Sequence, residues 1–222
     1  MTLITIVNIP TGIVMSGDSR TSSNSYIVSD ATNKVFLLFD RVGIATSGQA
    51  YIDDMPIEHY IKTFELMSTH IAESYQTDGF MKGVADALCL YISTLNIQGH
   101  LIFMVAGYED AEQHLYAIDN QEGEFTVKRL NTTQETEELM YTATWLGDIE
   151  ITNRLTTGTY QTQFRVMNIQ DAIDYSRHLI RTTIEQLRFE PRFPTVGGEI
   201  DTLLIQPVGG GFIYKKGLTY RP

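Results

Sequence analysis

Apolar residues cluster in short blocks toward both ends of the chain and recur every three or four residues in between. Residues 2–9 form an apolar strand, parted from a second at 13–18 by Pro10-Thr11-Gly12, a turn signal. Two further runs, Val35 to Phe39 and Val42 to Thr46, read as a hairpin turning on Asp40-Arg41. After Gly48 the period changes. Ile57, Tyr60, Ile61, Phe64, Met67, Ser68 and Ile71 fall on one helix face. A second helix runs through Val84, Ala85, Leu88 and Leu95, with Met81 and Cys89 as packing residues. Strands resume at Leu101 to Tyr108, His114 to Ile118 and Glu124 to Leu130, the last two joined at Asn120-Gln121-Glu122-Gly123. Residues 139–146 read as one more strand, with a helix near 147–157. Ile169, Ile173, Ile180, Ile184 and Leu187 make the stripe of a long helix with Asn168 as N-cap, ended by Pro191 and Pro194. A final hairpin, Ile200 to Gln206 and Phe212 to Lys216, turns on Gly209-Gly210-Gly211.

Blocks of hairpin-connected strands separated by helices predict antiparallel sheets rather than βαβ units. The expected class is α+β: two antiparallel sheets packed face to face and covered outside by helices, a four-layer α/β/β/α sandwich. No linker, repeat or low-complexity tract divides residues 1–222, so one domain is expected.

Composition narrows the function. A net charge of −11 argues against a phosphate-backbone binder and against an anionic membrane surface. No apolar run approaches the roughly 20 residues of a membrane-spanning helix, and the N-terminus lacks the pattern of a secretory signal. Cys89 is the sole cysteine, which excludes an intrachain disulfide and predicts a cytoplasmic protein. In that setting the Asn131-Thr132-Thr133 sequon is a chance match. His59, His70, His100, His114 and His178 are scattered without metal-ligand spacing, so no metal site is expected. The glycine run at 209–211 precedes no helix and is not a phosphate loop. Glu135, Glu137 and Glu138 read as a solvated face, and Trp145 as core.

The candidate chemistry lies in the first fifty residues. Thr2 follows Met1, and a small second residue normally permits methionine removal. An N-terminal threonine carries a hydroxyl nucleophile and an α-amine base on one residue. Taken alone, Thr2 reads as the β-branched start of a strand. Asp18-Ser19-Arg20 ends the second strand, Lys34 begins a later one, and Ser47-Gly48 closes another, so hairpin pairing brings these ends together. A lysine beside the threonine disfavours protonation of its amine and stabilises charge on the hydroxyl; an aspartate holds the lysine; the Gly48 amide can face an oxyanion. By itself the Asp18–Lys34 pair reads as a half-exposed ion pair.

The joint spacing is more specific. Thr2, Gly12-Ile13-Val14, Asp18-Ser19-Arg20-Thr21, Ser25-Tyr26-Ile27, Asn33-Lys34 and Thr46-Ser47-Gly48 resemble, without gaps, the proteasome β-subunit family and its bacterial relatives HslV and Anbu. More thinly, Val196-Gly197-Gly198-Glu199-Ile200-Asp201 resembles the family's late glycine pair, in a form nearest Anbu. With no helix ahead of the first strand, the resemblance is to a β-type subunit. It implies an N-terminal-nucleophile hydrolase fold and a threonine-type peptidase, with Thr2 as nucleophile, Asp18 and Lys34 as its catalytic partners and Gly48 as oxyanion donor. Thr21, Thr46 and Ala50 would shape the substrate pocket. It further implies a peptide or amide substrate, no cofactor, self-association into a ring or helical homo-oligomer, and room for an ATPase partner. Two departures stand out. Trp145-Leu146-Gly147-Asp148 lacks the serine that the family carries in a Gly-Ser-Gly turn, with Asp148 as a candidate substitute. Phe193-Pro194-Thr195-Val196 lacks the family's late Asp and Ser. These departures keep open a catalytically silent scaffold, and an amidase acting on small molecules is a third reading.

Overall fold

The computed structural model describes residues 2–23, 25–73, 78–121, 123–133, 136–158 and 160–217. Met1, Glu122 and Glu135, on which sequence expectations fall, lie outside them. In chain order the elements are β1 Leu3–Ile9, β2 Gly12–Asp18, β3 Thr21–Ser23, β4 Tyr26–Ser29, β5 Val35–Leu38, β6 Val42–Gly48, β7 Tyr51–Ile52 and β8 Met55–Pro56. Helices α1 Ile57–Met67, α2 Thr69–Glu73 and α3 Phe80–Ser93 follow, then β9 Leu101–Glu109, β10 Glu112–Asp119, β11 Thr126–Arg129 and β12 Ala143–Gly147. Helix α4 Glu150–Thr156, a 3-10 turn Phe164–Val166 and α5 Ile169–Leu187 lead to β13 Ile200–Gln206 and β14 Gly209–Tyr214.

Two five-stranded sheets result, ordered β12-β1-β2-β13-β14 and β11-β10-β9-β6-β5, and every strand pairing is antiparallel. The architecture is α+β. Alternation along the strands sorts the side chains onto two faces. Ile4, Ile6, Ile13, Met15, Leu203 and Ile205 of the first sheet meet Val35, Ala45, Met104, Ala106 and Leu115 of the second in one buried cluster. On its other face the second sheet packs Ile44, Phe103, Val105 and Ile118 against Ile57, Ile61 and Phe64 of α1 and Val84 and Leu88 of α3. The first sheet turns Leu3, Val7, Ile9 and Val14 toward α4 and α5, which contribute Ile151, Ala172, Ile173, Ile180 and Leu187.

Helix α5 spans the expected residues. Asn168 accepts from the Asp171 amide while Asp171 accepts from the Asn168 amide, a reciprocal capping box. Its contact with the sheet includes a buried hydroxyl chain: Ser176 Oγ bonds Thr5 Oγ1 and Ser16 Oγ at 2.8 Å each, and Ser16 Oγ bonds Thr202 Oγ1 at 3.0 Å.

Several expectations need correction. The expected first helix face through Ile71 divides at Ser68, where α1 ends and α2 begins one residue later. The hairpin after β5 turns on Phe39 and Asp40, with φ of 52° and 55°, and closes by the Arg41 amide donating to the Leu38 carbonyl at 3.0 Å. Gly209 to Gly211 are strand residues of β14, and the turn falls on Pro207-Val208. Glycine is used there for close approach: a Cβ on Gly210 would lie 2.8 Å from Leu37 Cδ1. Trp145 is only partly buried and donates through Nε1 to Asn153 Oδ1 at 2.7 Å. The hairpin β3–β4 was not anticipated. Among the described residues no helix is long and apolar enough to cross a membrane.

Gly43 on β6 faces the other sheet at close range: a Cβ there would fall 2.4 Å from Met15 Sδ and 2.5 Å from Ile205 Cδ1. Gly43→Ala should therefore destabilise the fold by about 1–3 kcal/mol, read as a lower urea midpoint at unchanged slope.

Candidate active site

The ends of β1, β2 and β6 and the start of β5 converge on a cleft of about 470 Å³. Thr2, Thr21, Lys34, Thr46, Gly48 and Ala50, all named from the sequence, line it. Asp18 does not; it lies directly behind, 1% exposed. The remaining walls were not read from the sequence: Tyr26 and Val28 of β4, Ser22 and Ser23 of β3, Thr32 and Asn33, and Ser47, Gln49, Tyr51 and Ile57. Thr21 and Thr32 are joined by a 2.8 Å hydroxyl–hydroxyl bond. Among the described residues no carboxylate lines the cleft, and Lys34 stands on its wall.

Asp18 terminates β2 and is saturated with donors. Its Oδ1 accepts the Leu3 amide at 2.9 Å and the Lys34 ammonium at 2.8 Å; its Oδ2 accepts the amides of Arg20 at 3.1 Å and Gly197 at 3.0 Å. Lys34 also donates to the Arg20 carbonyl at 2.5 Å. Both partners are buried, so the half-exposed pair expected from sequence is corrected: the backbone at Leu3, Arg20 and Gly197 closes around it. Burial pushes the Lys34 ammonium below its ordinary value of 10.5; Asp18 pulls it back up, while Lys216 and Arg20 add to the lowering.

Arg20 binds Asp30 through two parallel bonds of 2.6 and 3.0 Å and reaches the Pro194 carbonyl at 3.1 Å. Its guanidinium lies where a side chain at Gly197 would be, 2.5 Å from a Cβ built there. The late Gly197-Gly198 pair is thereby brought to the site. Gly48, at φ 109°, ends β6 where an added Cβ would strike the His100 carbonyl oxygen at 2.2 Å, so only glycine fits.

Beyond β12 the Asp148 amide donates to the Thr2 carbonyl at 2.7 Å. The Asp148 carboxylate accepts Arg192 Nη1 at 2.7 Å and Nη2 at 3.2 Å, together with the Thr195 hydroxyl. Arg192 and Thr195 carry no local sequence signal; they reach Asp148 only through the return of the chain after α5. Among the described residues no group of three or more His, Cys, Asp or Glu side chains is placed to hold a metal ion.

An apolar β-strand opening on Thr2, a buried Asp–Lys pair and a glycine at positive φ thus converge on one cleft. Comparison with known proteins gives the family. Over 37 residues the chain is 46% identical to proteasome subunit beta 2 of Korarchaeum cryptofilum (strain OPF8), a stretch that covers 17% of this chain and 19% of that protein. The proteasome subunit family matches residues 4–126, from β1 to the start of β11 and so through most of the cleft. With more than half of its length matched, the chain belongs to the proteasome subunit family.

Proposed function

We propose that this protein is a threonine-type N-terminal-nucleophile hydrolase that cleaves peptide or other amide bonds within a homo-oligomeric, proteasome-like assembly. Family membership points to a peptidase. The observation that carries the threonine mechanism is that Thr2, Lys34 and Gly48 line one cleft while Asp18 holds both Lys34 and the Leu3 amide.

Removal of what precedes Thr2 frees its α-amine. The Thr2 hydroxyl then attacks the scissile carbonyl and its proton passes to the amine, directly or through water. The Gly48 amide supports the tetrahedral oxyanion, and the buried Lys34 ammonium stabilises developing charge. The amine returns its proton to the leaving nitrogen, the C–N bond breaks, and an ester on Thr2 remains. Water hydrolyses that ester and restores the hydroxyl. No step requires a metal or cofactor. Thr21, Thr46 and Ala50 form the small, weakly polar part of the substrate pocket, with Tyr26, Val28 and Ile57 as its apolar part. The shared inter-sheet cluster and the helix-bearing outer faces support one domain with a four-layer α/β/β/α sandwich. The Val196-Gly197-Gly198 form supports a bacterial branch near Anbu and HslV, although the matched relative is archaeal. An ATPase partner feeding such a chamber and a cytoplasmic setting, where Cys89 stays a free thiol, complete the reading.

Thr2→Ala should lower turnover of a peptide amide by about 10³-fold or more, and protein from the native host should have the intact mass expected with Thr2 as first residue. Retained Met1, or undiminished turnover in the variant, leaves the scaffold reading standing instead.

The buried pair gives a second expectation. Asp18→Ala strands the Lys34 charge and should cost about 3–5 kcal/mol in urea denaturation. Lys34→Met should cost less, because three backbone amides still solvate the Asp18 carboxylate. Between the lowered folded pKa of Lys34 and 10.5 the unfolded chain holds the extra proton, so stability from this group rises with pH and falls as pH drops toward the folded value. Stability curves measured across that interval should lose this slope in Lys34→Met.

A further inference from the structure

We infer that Asp148 and Thr195 are positioning residues that fix the attitude of Thr2 by holding the carbonyl side of the Thr2–Leu3 peptide; the inference rests on the proposed Thr2 nucleophile. One peptide unit carries both restraints. Its N–H, on Leu3, donates to Asp18 Oδ1 at 2.9 Å, and its C=O, on Thr2, accepts from the Asp148 amide at 2.7 Å. With both polar groups held, the plane next to the reacting residue cannot rotate, while its hydroxyl and amine remain available to the cleft.

The Asp148 side of this clamp is built, not incidental. Gly147 has φ 103°, and a Cβ there would lie 1.8 Å from the Thr2 carbonyl oxygen, so the turn reaches Thr2 only as glycine. The carboxylate that anchors the turn is 5% exposed and takes a forked pair from Arg192 and a hydroxyl from Thr195, itself 8% exposed. Arg192 is braced in turn: its Nε donates to Glu190 at 2.7 Å, and Glu190 accepts Arg154 of α4 at 2.6 Å. Neither Asp148 nor Thr195 lines the cleft, so both can act on the orientation of Thr2 without touching substrate. A shift of about 1 Å in a reacting group can cost on the order of 10²-fold in rate.

In the processed, assembled protein, Thr195→Val removes the hydroxyl at nearly constant volume. It should lower kcat on a chromogenic peptide amide about 10- to 100-fold with KM within about twofold. Esterification of Thr2 by a peptidyl β-lactone, followed by mass, should slow in parallel. Thr195→Ser keeps the donor and should return kcat to within about threefold of the parent. If the valine protein does not fold, Asp148→Asn carries the same expectation, since it keeps the backbone amide on Thr2 and loses the charge that grips Arg192. A folded valine or asparagine variant with kcat within about twofold of the parent overturns the inference, as does a defect confined to KM or a serine variant as slow as the valine one. An unimpaired valine variant beside an inactive Thr2→Ala protein overturns the positioning role alone. A parent whose Thr2 takes no lactone, or a fully active Thr2→Ala protein, overturns the nucleophile reading and this inference with it.

Discussion

The Asp18 carboxylate is the constraint on which the rest of this structure depends. A buried carboxylate is tolerated only when its oxygens are hydrogen-bonded and its charge is met. Here four donors meet it, from the start of β1, the second residue past β2, the residue that enters β5, and the loop before β13. The last donor, Gly197, is 179 residues away in sequence. Pairing β1 with β2 brings Leu3 near Asp18, and pairing β2 with β13 sets Ile200 opposite Asp18 and so fixes where Gly197 must lie. The carboxylate is therefore satisfied only once both pairings have formed and β5 has delivered Lys34. Closing the fold and assembling the cleft wall are one event.

That dependence shapes the chemistry. Lys34 is poised between burial, which favours the neutral amine, and Asp18, which favours the ammonium. Asp18 also reaches the Leu3 amide directly, so the same group that sets the charge beside Thr2 fixes its backbone. Charge and orientation are thus coupled through a single side chain. The Asp148 turn holds the opposite side of the same peptide with its backbone, and its carboxylate faces Arg192 and Thr195 rather than Lys34.

The sequence was most legible where one signal fixed one outcome. Helix α5 has a stripe of isoleucines and leucine, an Asn cap and proline beyond its end, and its bounds follow from them. Strands β1, β2 and β13 are dense apolar runs flanked by turn residues. The β3–β4 hairpin was hidden because β3 is three polar residues and β4 carries its apolar residues Tyr26, Ile27 and Val28 consecutively and exposed, so neither strand shows alternation. The turn at Phe39-Asp40 was misplaced by one residue because nothing in phenylalanine announces a positive φ; the pairing of β5 with β6 imposes it. Glycines 209–211 look like a turn but lie in β14, where Leu37 crowds Gly210 and Gly209 takes a positive φ of 138°. At the site, the meeting of Thr2, Lys34 and Gly48 around one cleft with Asp18 behind it was readable because paired strands bring their ends together. The burial of Asp18 and Lys34 was not, since Gly197 reaches Asp18 from 179 residues away. Thr195 and Arg192 were unreadable for the same reason, being 47 and 44 residues from the aspartate they serve.

The cleft also reports on how the two sheets meet. Thr2 immediately precedes β1 of the first sheet, whereas Lys34 precedes β5 and Gly48 ends β6 of the second. Their relative placement is set by the inter-sheet layer, where Gly17 and Gly43 admit Ile4, Val35, Met15 and Ile205 at distances that a larger residue would obstruct. The first sheet is braced from behind by α5 through Thr5, Ser16 and Ser176, short hydroxyl side chains that permit close approach and fix register by hydrogen bonds. Sheet spacing and helix seating therefore feed into the same distance, that between the Thr2 hydroxyl and the groups across the cleft. Because interiors are close-packed, a change in either is transmitted rather than absorbed. Substitutions in the inter-sheet layer are thus felt in the cleft as well as in the fold, and on the proposed mechanism the placement of Thr2 is the more sensitive of the two.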